Sequence, residues 1–235
     1  MLGPIDEVAY VAHDAVQGRP TGIVLSFHGL GNTELRREPN ADELYYGALG
    51  GVCALPYTGP WCWMNRAARS MVDELIVALR KKYRLSPRCP VIATGGSMGG
   101  TSSLLFTRYS RQGVSRCLAN CPAADVTAHF HERPDLPRTF RCAFYGYKEP
   151  FAQLLKEHSP LHQVAHFPKV PYFIVHGGKD TAVAQATHSD PIVRAMKKRK
   201  LDVEYVVVPA MGHCGPIPHE LAARMREFVA APLQA

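Results

Sequence analysis

The fold is decided by the stretch Pro90-Val-Ile-Ala-Thr-Gly-Gly-Ser-Met-Gly-Gly100, in which a short apolar run leads into a serine between glycines. Residues 95–99 fit the pattern Gly-x-Ser-x-Gly, whose serine sits on a sharp turn between a strand and a helix. Gly95 and Gly99 suit this turn because larger side chains two residues either side of the serine would collide there. The stretch therefore predicts a strand, a tight turn that carries Ser97, and a helix.

Apolar runs of the same kind recur along the chain and alternate with helical segments. Short continuous apolar runs are typical of strands covered on both faces, and they occupy 22–28, 52–55, 91–94, 114–119, 170–176 and 203–208. Helical segments are predicted at 65–83, 98–111, 190 onward and 221–229. Asp190 is expected to cap the third of these helices, with Pro191 as its first residue. The loosely alternating segment 5–13 predicts an edge strand.

Strands that alternate with helices predict right-handed crossovers and a mostly parallel sheet. The segment from 122 to 168 breaks this alternation, because it is rich in proline, aromatic residues and histidine. No change of composition divides the chain. We therefore expect residues 1–235 to form a single doubly wound α/β domain with a cap-like, helical insertion at about 122–168.

The composition is that of a soluble enzyme-sized domain, with 46% hydrophobic and 20% charged residues and a formal charge of +7. The basic run 197–200 has no aromatic residues among it, so we expect no nucleic-acid partner. No secretion signal or membrane-length apolar run is visible, so we expect no membrane association. Seven cysteines without a Cys-x-x-Cys pair favour free thiols in a reducing, cytoplasmic setting. The oligomeric state is left open.

Polar side chains follow four of the predicted strands, where ligands of a parallel sheet gather. They are His28, Ser97, Asp180 and His213. A serine hydroxyl needs a base to become a nucleophile, and that base needs a carboxylate to fix its tautomer. Ser97, Asp180 and His213 supply these three groups, although Asp180 also suits a turn and His213 also suits a buried structural role.

An oxyanion formed above Ser97 requires backbone N–H donors. The turn itself offers the N–H of Met98, and the loop shaped by His28 and Gly29 is expected to offer that of Leu30. The sequence therefore predicts nucleophilic acyl transfer at one edge of the sheet.

Four motifs resemble those of the α/β-hydrolase superfamily, in its prolyl-oligopeptidase-like and dienelactone-hydrolase-like esterase branch: 28–31, 95–99, 176–180 and 212–213. The resemblance covers about residues 20 to 230. It implies an α/β-hydrolase fold with Ser97 as nucleophile, His213 as base, Asp180 as acid, and Met98 and Leu30 as oxyanion donors. It implies no cofactor.

The substrate expected from this resemblance is a small carboxylic ester. No propeller domain like that of the oligopeptidases accompanies the motifs, and Ser97 stands where dienelactone hydrolases place cysteine. A small serine peptidase or amidase is the alternative among enzymes, and a hydrolase-fold binding protein is the alternative outside them.

Further residues are candidates for substrate contact. Tyr57, Trp61 and Trp63 offer an aromatic wall, with ordinary core packing as the alternative. Phe130 lies in the insertion, with Phe140, Phe144 and Tyr145, and is expected to cover the substrate. Arg138 suits an acidic substrate group or a surface salt bridge. No metal site is expected, because Pro160 interrupts the helical spacing of the histidines around it.

Overall fold

The protein is described here by a computed structural model that covers residues 2–33 and 38–234. Within these residues seven strands form one sheet in the order β1-β3-β2-β4-β5-β6-β7. All neighbouring pairs are parallel except the edge pair β1 and β3. The strands are β1 (Ala9–Val11), β2 (Gly22–Phe27), β3 (Gly51–Pro56), β4 (Val91–Gly96), β5 (Arg116–Asn120), β6 (Tyr172–Gly177) and β7 (Val203–Val208).

Helices cover both faces of this sheet and fill the segment between β5 and β6. In chain order they are α1 (Ile5–Val8), α2 (Ala41–Ala48), α3 (Arg66–Lys82), α4 (Met98–Tyr109), α5 (Val126–Glu132), α6 (Leu136–Ala143), α7 (Phe151–Glu157), α8 (Pro160–Gln163), α9 (Ser189–Lys198) and α10 (His219–Ala230). No helix in the described part of the chain combines the length and the apolar character that a bilayer span needs.

The core forms on both faces because strand side chains alternate. Ile23 and Leu25 of β2 pack in one cluster with the apolar stripe of α3, which includes Leu75. Val24 points the other way and packs in a cluster with Val229 of α10. The prediction of a doubly wound, mostly parallel α/β sheet is therefore confirmed.

Two local predictions were wrong. Residues 5–8 form the helical turn α1, so the edge strand begins only at Ala9. The acidic side chains of Asp6 and Glu7 favour the start of a helix at this point. Helix α9 begins at Ser189, and Asp190 does not cap it, because its carboxylate accepts hydrogen bonds from Gln185 and Tyr205 instead.

The segment 122–168 carries α5 to α8, as its predicted helical character requires. Phe140 and Phe144 are buried there and join the same cluster as α3 and β2. Their rings are thus core, whereas Tyr145 is 90% exposed. None of the three lines the cavity described below, so the predicted aromatic cover over substrate is not found at these residues.

The turn between β4 and α4 brings two backbones unusually close together. Ser97 has φ 58°, and its N–H donates to the carbonyl of Asn120 at 2.9 Å. A Cβ atom on Gly95 would lie 2.4 Å from the carbonyl oxygen of Gly99, and one on Gly99 would lie 2.1 Å from that of Phe27. Glycine at 95 and 99 is therefore a steric requirement of this turn.

We predict that Gly99→Ala lowers the free energy of unfolding by about 2 kcal/mol or more, because the added methyl group overlaps a backbone carbonyl that cannot move freely. Urea unfolding followed by circular dichroism measures this effect. Gly212→Ala is the matched control, since a Cβ there meets nothing within 4 Å; we expect a change within about 0.5 kcal/mol. Equal stability of both variants would contradict the steric argument.

Candidate active site

Three predicted side chains meet at the carboxyl edge of the sheet. Ser97 follows β4, Asp180 follows β6 and His213 follows β7. His213 Nε2 lies 2.8 Å from Ser97 Oγ, and His213 Nδ1 lies 2.7 Å from Asp180 Oδ2. The carboxylate can only accept, so Nδ1 carries the ring proton and Nε2 accepts from the serine hydroxyl. The arrangement is that of a nucleophile, a base and a group that orients the base.

The carboxylate of Asp180 is held by several donors. Its side chain has no solvent exposure, and its Oδ1 accepts from the N–H groups of Ala182 at 3.0 Å and Val183 at 2.9 Å. Burial raises the pKa of Asp180, but the hydrogen bonds from Val183 and His213 outweigh it and leave this pKa below its ordinary value. Asp180 is therefore a charged acceptor for the His213 ring at neutral pH.

His176 of β6 packs directly behind this carboxylate. Its Nε2 donates to the carbonyl of Val183 at 2.8 Å, and its Nδ1 accepts from the Ser189 hydroxyl at 2.6 Å. Burial lowers the pKa of His176. A neutral His176 thus fixes the loop that carries Asp180 and Val183, a role that sequence reasoning missed.

The two predicted oxyanion donors lie at backbone positions suited to the role. Met98 is the first residue of α4, where helix N–H groups have no partner within the helix. Leu30 follows Gly29, whose carbonyl accepts from Nδ1 of His28 at 2.9 Å. Because C=O and N–H point opposite ways across a trans peptide, this bond also fixes the direction of the Leu30 N–H. His28 therefore positions one of the candidate donors.

A cavity of about 450 Å³ opens over Ser97. The predicted residues Leu30, Trp63 and His213 are among those that line it; the full set is Gly29, Leu30, Trp63, Gly96, Ser97, His129, Arg133, Val183, His213 and Cys214. A second cavity of about 300 Å³ touches neither Ser97 nor His213. The first is therefore the candidate substrate site.

Four residues predicted to contact substrate lie outside this lining. Tyr57 packs beside the His28 ring, with 6.0 Å between ring centres. The Arg138 guanidinium lies 5.8 Å from the centre of the Trp61 ring. Phe130 packs on the rings of Phe140 and Phe151. Each of the four thus packs against a neighbour, and none of them lies in the cavity lining.

Trp63 combines both roles that were considered for it. It is 1% exposed, it stacks on Phe140 with 4.1 Å between ring centres, and its indole N–H donates to Thr139. The same ring contributes to the cavity wall. Its packing partners thus hold the wall in place.

All seven cysteines are described, and all are free thiols. Cys214 follows His213 and lies against Cys121. The Sγ of Cys121 accepts a hydrogen bond from the Cys214 N–H at 3.4 Å. The hydrogen bond with the Cys121 side chain, together with burial, raises the pKa of Cys214. A protonated thiol is a poor nucleophile, so the geometry favours Ser97 over Cys214 as the reactive group.

Sequence reasoning missed His129, Arg133 and Val183 as cavity residues. His129 is buried on α5, and Nδ1 of its ring lies 2.5 Å from Oε2 of Glu132. The two residues are three apart, a spacing that places them on one helix face and is visible in the sequence. Nothing in the sequence indicates which way that face points.

Comparison with known proteins gives one family and a set of related folds. The profile of the prolyl oligopeptidase family matches residues 76–231, well over half of the chain. No curated protein has a matching sequence.

Solved structures with the same fold include three peptidases. A Mycobacterium tuberculosis puromycin-hydrolyzing peptidase is 17% identical, with a TM-score of 0.65 over 92% of this chain and 34% of that one. Porphyromonas gingivalis dipeptidyl peptidase 4 is 17% identical, with a TM-score of 0.71 over 94% and 33%. Pyrococcus horikoshii acylaminoacyl peptidase is 11% identical, with a TM-score of 0.69 over 90% and 36%. This chain spans about a third of their length, and the likeness confirms the predicted α/β-hydrolase fold.

We predict that acid destabilises the protein through two histidines of the insertion. Burial is the main cause that lowers the pKa of His129 to about 4 and that of His158 to about 3. Because the unfolded chain binds these protons first, the free energy of unfolding falls as pH decreases from about 6.5 toward 4, by roughly 3 kcal/mol for each histidine. Urea unfolding at pH 7.5 and 4.5 tests this.

The variant His158→Leu should show a pH dependence that is weaker by about one proton over this interval. His131→Leu, at an exposed position of the same insertion, is the control and should keep the dependence of the unchanged protein. A pH dependence that is identical in all three proteins would contradict the assignment.

Proposed function

Because the chain belongs to the prolyl oligopeptidase family of serine hydrolases, we propose that it cleaves small carboxylic esters through an acyl-enzyme formed on Ser97. The observation that carries the proposal is the unbroken row of hydrogen bonds from Ser97 Oγ through His213 to Asp180, at 2.8 and 2.7 Å. Such a row is what a serine hydroxyl needs to attack a carbonyl at neutral pH.

The first step is attack by Ser97 Oγ on the ester carbonyl carbon. His213 Nε2 takes the hydroxyl proton, and the ring becomes an imidazolium whose charge faces the Asp180 carboxylate. The carbonyl oxygen becomes negative and accepts from the N–H groups of Met98 and Leu30. Met98 begins α4, so the positive end of the helix also favours this negative charge.

The second step breaks the carbon–oxygen bond of the alcohol. His213 returns the proton to the departing oxygen, and the acyl group stays on Ser97. A water molecule then follows the same route, with His213 as base, and releases the acid and free Ser97. Groups of the chain and water account for every proton, so the proposal requires no cofactor.

The cavity lining supports a neutral substrate. No carboxylate lines the cavity within the described residues, so no acidic group there offsets a substrate ammonium such as a free peptide N-terminus. The arginine of the cavity lining, Arg133, already donates two hydrogen bonds to the carboxylate of Asp135, at 3.0 and 2.6 Å. A small neutral ester with apolar parts fits this lining, and a volume of about 450 Å³ lies within the usual range for small-molecule sites.

Amide hydrolysis is the second candidate, because the similar solved structures are peptidases. The same row of side chains serves both reactions. An amine leaves less readily than an alcohol and depends more strongly on proton delivery from His213. If the protein is an amidase, the substrate that suits this cavity is a blocked peptide or an N-acyl amide, because such a substrate has no free ammonium group that would require an acidic partner.

We predict that Ser97→Ala abolishes hydrolysis of p-nitrophenyl butyrate and that Asp180→Asn lowers kcat by about 10³- to 10⁴-fold. The first change removes the nucleophile. The second replaces a charged group that only accepts by an amide that can also donate, so the His213 tautomer is no longer fixed. Asp190→Asn is the matched control, because Asp190 bonds Gln185 and Tyr205 rather than His213. An equal loss in that control, with intact circular dichroism in all variants, would reject Asp180 as the orienting acid.

We predict that an ester is cleaved faster than an amide with the same acyl group. The measurement compares kcat/KM for p-nitrophenyl butyrate and butyryl p-nitroanilide, each divided by its alkaline hydrolysis rate, and we expect the ester to lead by more than about 100-fold. A lead of the anilide would establish the amidase instead. Fluorophosphonate labelling, expected on Ser97 as a mass shift, tests the remaining alternative of a non-catalytic binding protein.

A further inference from the structure

One wall of the cavity carries a hydrogen-bonded cluster that the proposed reaction does not use. His129 and Glu132 belong to α5, and His188 lies just before α9. Nδ1 of His129 lies 2.5 Å from Oε2 of Glu132, and Nε2 of His188 lies 3.0 and 3.1 Å from the two carboxylate oxygens. Both rings are buried, at 3% and 0% exposure.

The backbone assigns the proton positions in this cluster. The N–H of Asp125 donates to Nδ1 of His188 at 3.1 Å, so that nitrogen carries a lone pair. The proton of the neutral ring is then on Nε2, which donates to Glu132. Burial raises the pKa of Glu132, but the hydrogen bonds from His129 and His188 leave it below its ordinary value, so the acceptor is a carboxylate.

Two histidines and a carboxylate also have the composition of a metal site. Coordination through Nε2 of His188 would require a lone pair on both ring nitrogens, because Nδ1 already accepts from Asp125. A ring without a proton on either nitrogen is an imidazolate, whereas histidine ordinarily binds a metal as a neutral imidazole. The Asp125 hydrogen bond therefore assigns the cluster to hydrogen bonding.

His129 is left with one unused nitrogen. Its Nδ1 donates to Glu132, so Nε2 carries a lone pair. Nε2 has no hydrogen-bond partner among the described residues, although the ring lines the cavity over Ser97. By contrast, the other buried histidines at this edge, His28, His176 and His188, use both ring nitrogens.

The orientation of the His129 ring is fixed on several sides. The ring of Trp63 meets it edge-on with 5.8 Å between centres, and the His188 ring meets it at 5.2 Å. Burial is the main cause that lowers the pKa of His129 to about 4, so the ring is neutral above about pH 5. The fold thus holds a neutral ring with an unused Nε2 at the border of the cavity.

We propose that Nε2 of His129 is a substrate-binding acceptor, selecting esters that carry a neutral hydrogen-bond donor (a hydroxyl, a phenol or an amide N–H) near the scissile carbonyl. The inference rests on the proposed function, because it places the donor in the cavity where Ser97 attacks. A buried site built to accept from a donor disfavours an analogue that lacks it, since the acceptor is then left unpaired. His129 is a specificity residue, and Glu132 is the positioning residue that sets its tautomer.

The test uses two matched pairs of esters. In the first pair the acyl part differs: p-nitrophenyl 3-(4-hydroxyphenyl)propanoate against its 4-methyl analogue. In the second pair the alcohol differs: 2-hydroxyethyl butyrate against propyl butyrate. We expect the unchanged protein to prefer the donor-bearing ester by about tenfold in kcat/KM in at least one pair. No preference in either pair would overturn the proposal.

His129→Leu should reduce that preference to about one, measured within the variant as the ratio of kcat/KM for the donor-bearing and the donor-free ester. His131→Leu is the matched control, because it lies at an exposed position of the same helix and should keep the preference. Circular dichroism and thermal unfolding check that each variant is folded. A preference that survives in His129→Leu would overturn the assignment.

Glu132→Gln separates a hydrogen-bonding role from a merely structural one. Glutamine offers one acceptor oxygen and one NH2 group that only donates, and His188 must still donate to the oxygen because Asp125 fixes its tautomer. His129 Nδ1 then accepts from the amide, and its Nε2 becomes a donor. We expect this variant to lose the preference for donor-bearing esters while it still hydrolyses donor-free ones. A retained preference would refute the tautomer argument.

A turnover-independent measurement distinguishes failure of this inference from failure of the proposed function. 3-(4-Hydroxyphenyl)propanamide and its 4-methyl analogue compete with fluorophosphonate labelling of Ser97. We expect the phenol to protect better in the unchanged protein and both amides to protect equally in His129→Leu. If the phenol protects better than its analogue but no ester is hydrolysed, only the proposed esterase function is rejected. Equal protection in both proteins would reject the acceptor subsite.

Discussion

The contact between Gly99 and the carbonyl of Phe27 is the constraint on which the site depends. A methyl group at Gly99 would lie 2.1 Å from that oxygen, so α4 starts against the end of β2 only because no side chain intervenes. This approach places Met98, at the start of the helix, beside the loop that carries Leu30. The nucleophile and the candidate donor Met98 therefore depend on this backbone contact, while the His28 ring orients the second candidate donor, Leu30.

Two carboxylates, the buried Asp180 and the partly exposed Glu132, organise the charge and the protons around that contact. Asp180 accepts from backbone N–H groups and from His213, which fixes the ring so that Nε2 faces Ser97. Glu132 accepts from His129 and His188, which fixes a second ring at the same cavity. Such donors offset the desolvation of a carboxylate, which is complete for Asp180 and partial for Glu132. In each case a histidine donates to the carboxylate through Nδ1, and its Nε2 is thereby left as an acceptor: His213 beside Asp180, and His129 beside Glu132.

The sequence predicts the sheet and the triad better than the cavity wall. Continuous apolar runs indicate buried strands, and the ends of parallel strands meet at one edge, so Ser97, Asp180 and His213 converge although they are distant in the chain. Residues in loops and in the insertion lack that constraint. Their directions follow from tertiary packing, which is why Phe130 lies outside the cavity lining and why His129, with no strand end to place it, was missed.

Several residues of the cavity wall have a strained backbone conformation that packing must hold in place. In the described part of the chain seven non-glycine residues have positive φ, and three of them, Trp63 (44°), Ser97 (58°) and Cys214 (48°), line the cavity. Each such conformation costs of the order of 1–3 kcal/mol and persists only where neighbours over-determine it. Trp63 shows the compensation, because Phe140 and Thr139 of α6 fix its ring by stacking and by a hydrogen bond. Phe140 belongs to the same apolar cluster as the sheet, so α6 supports Trp63 from outside the cavity and fixes it in its strained conformation. The packing that holds these strained residues is the means by which the fold pre-organises the site.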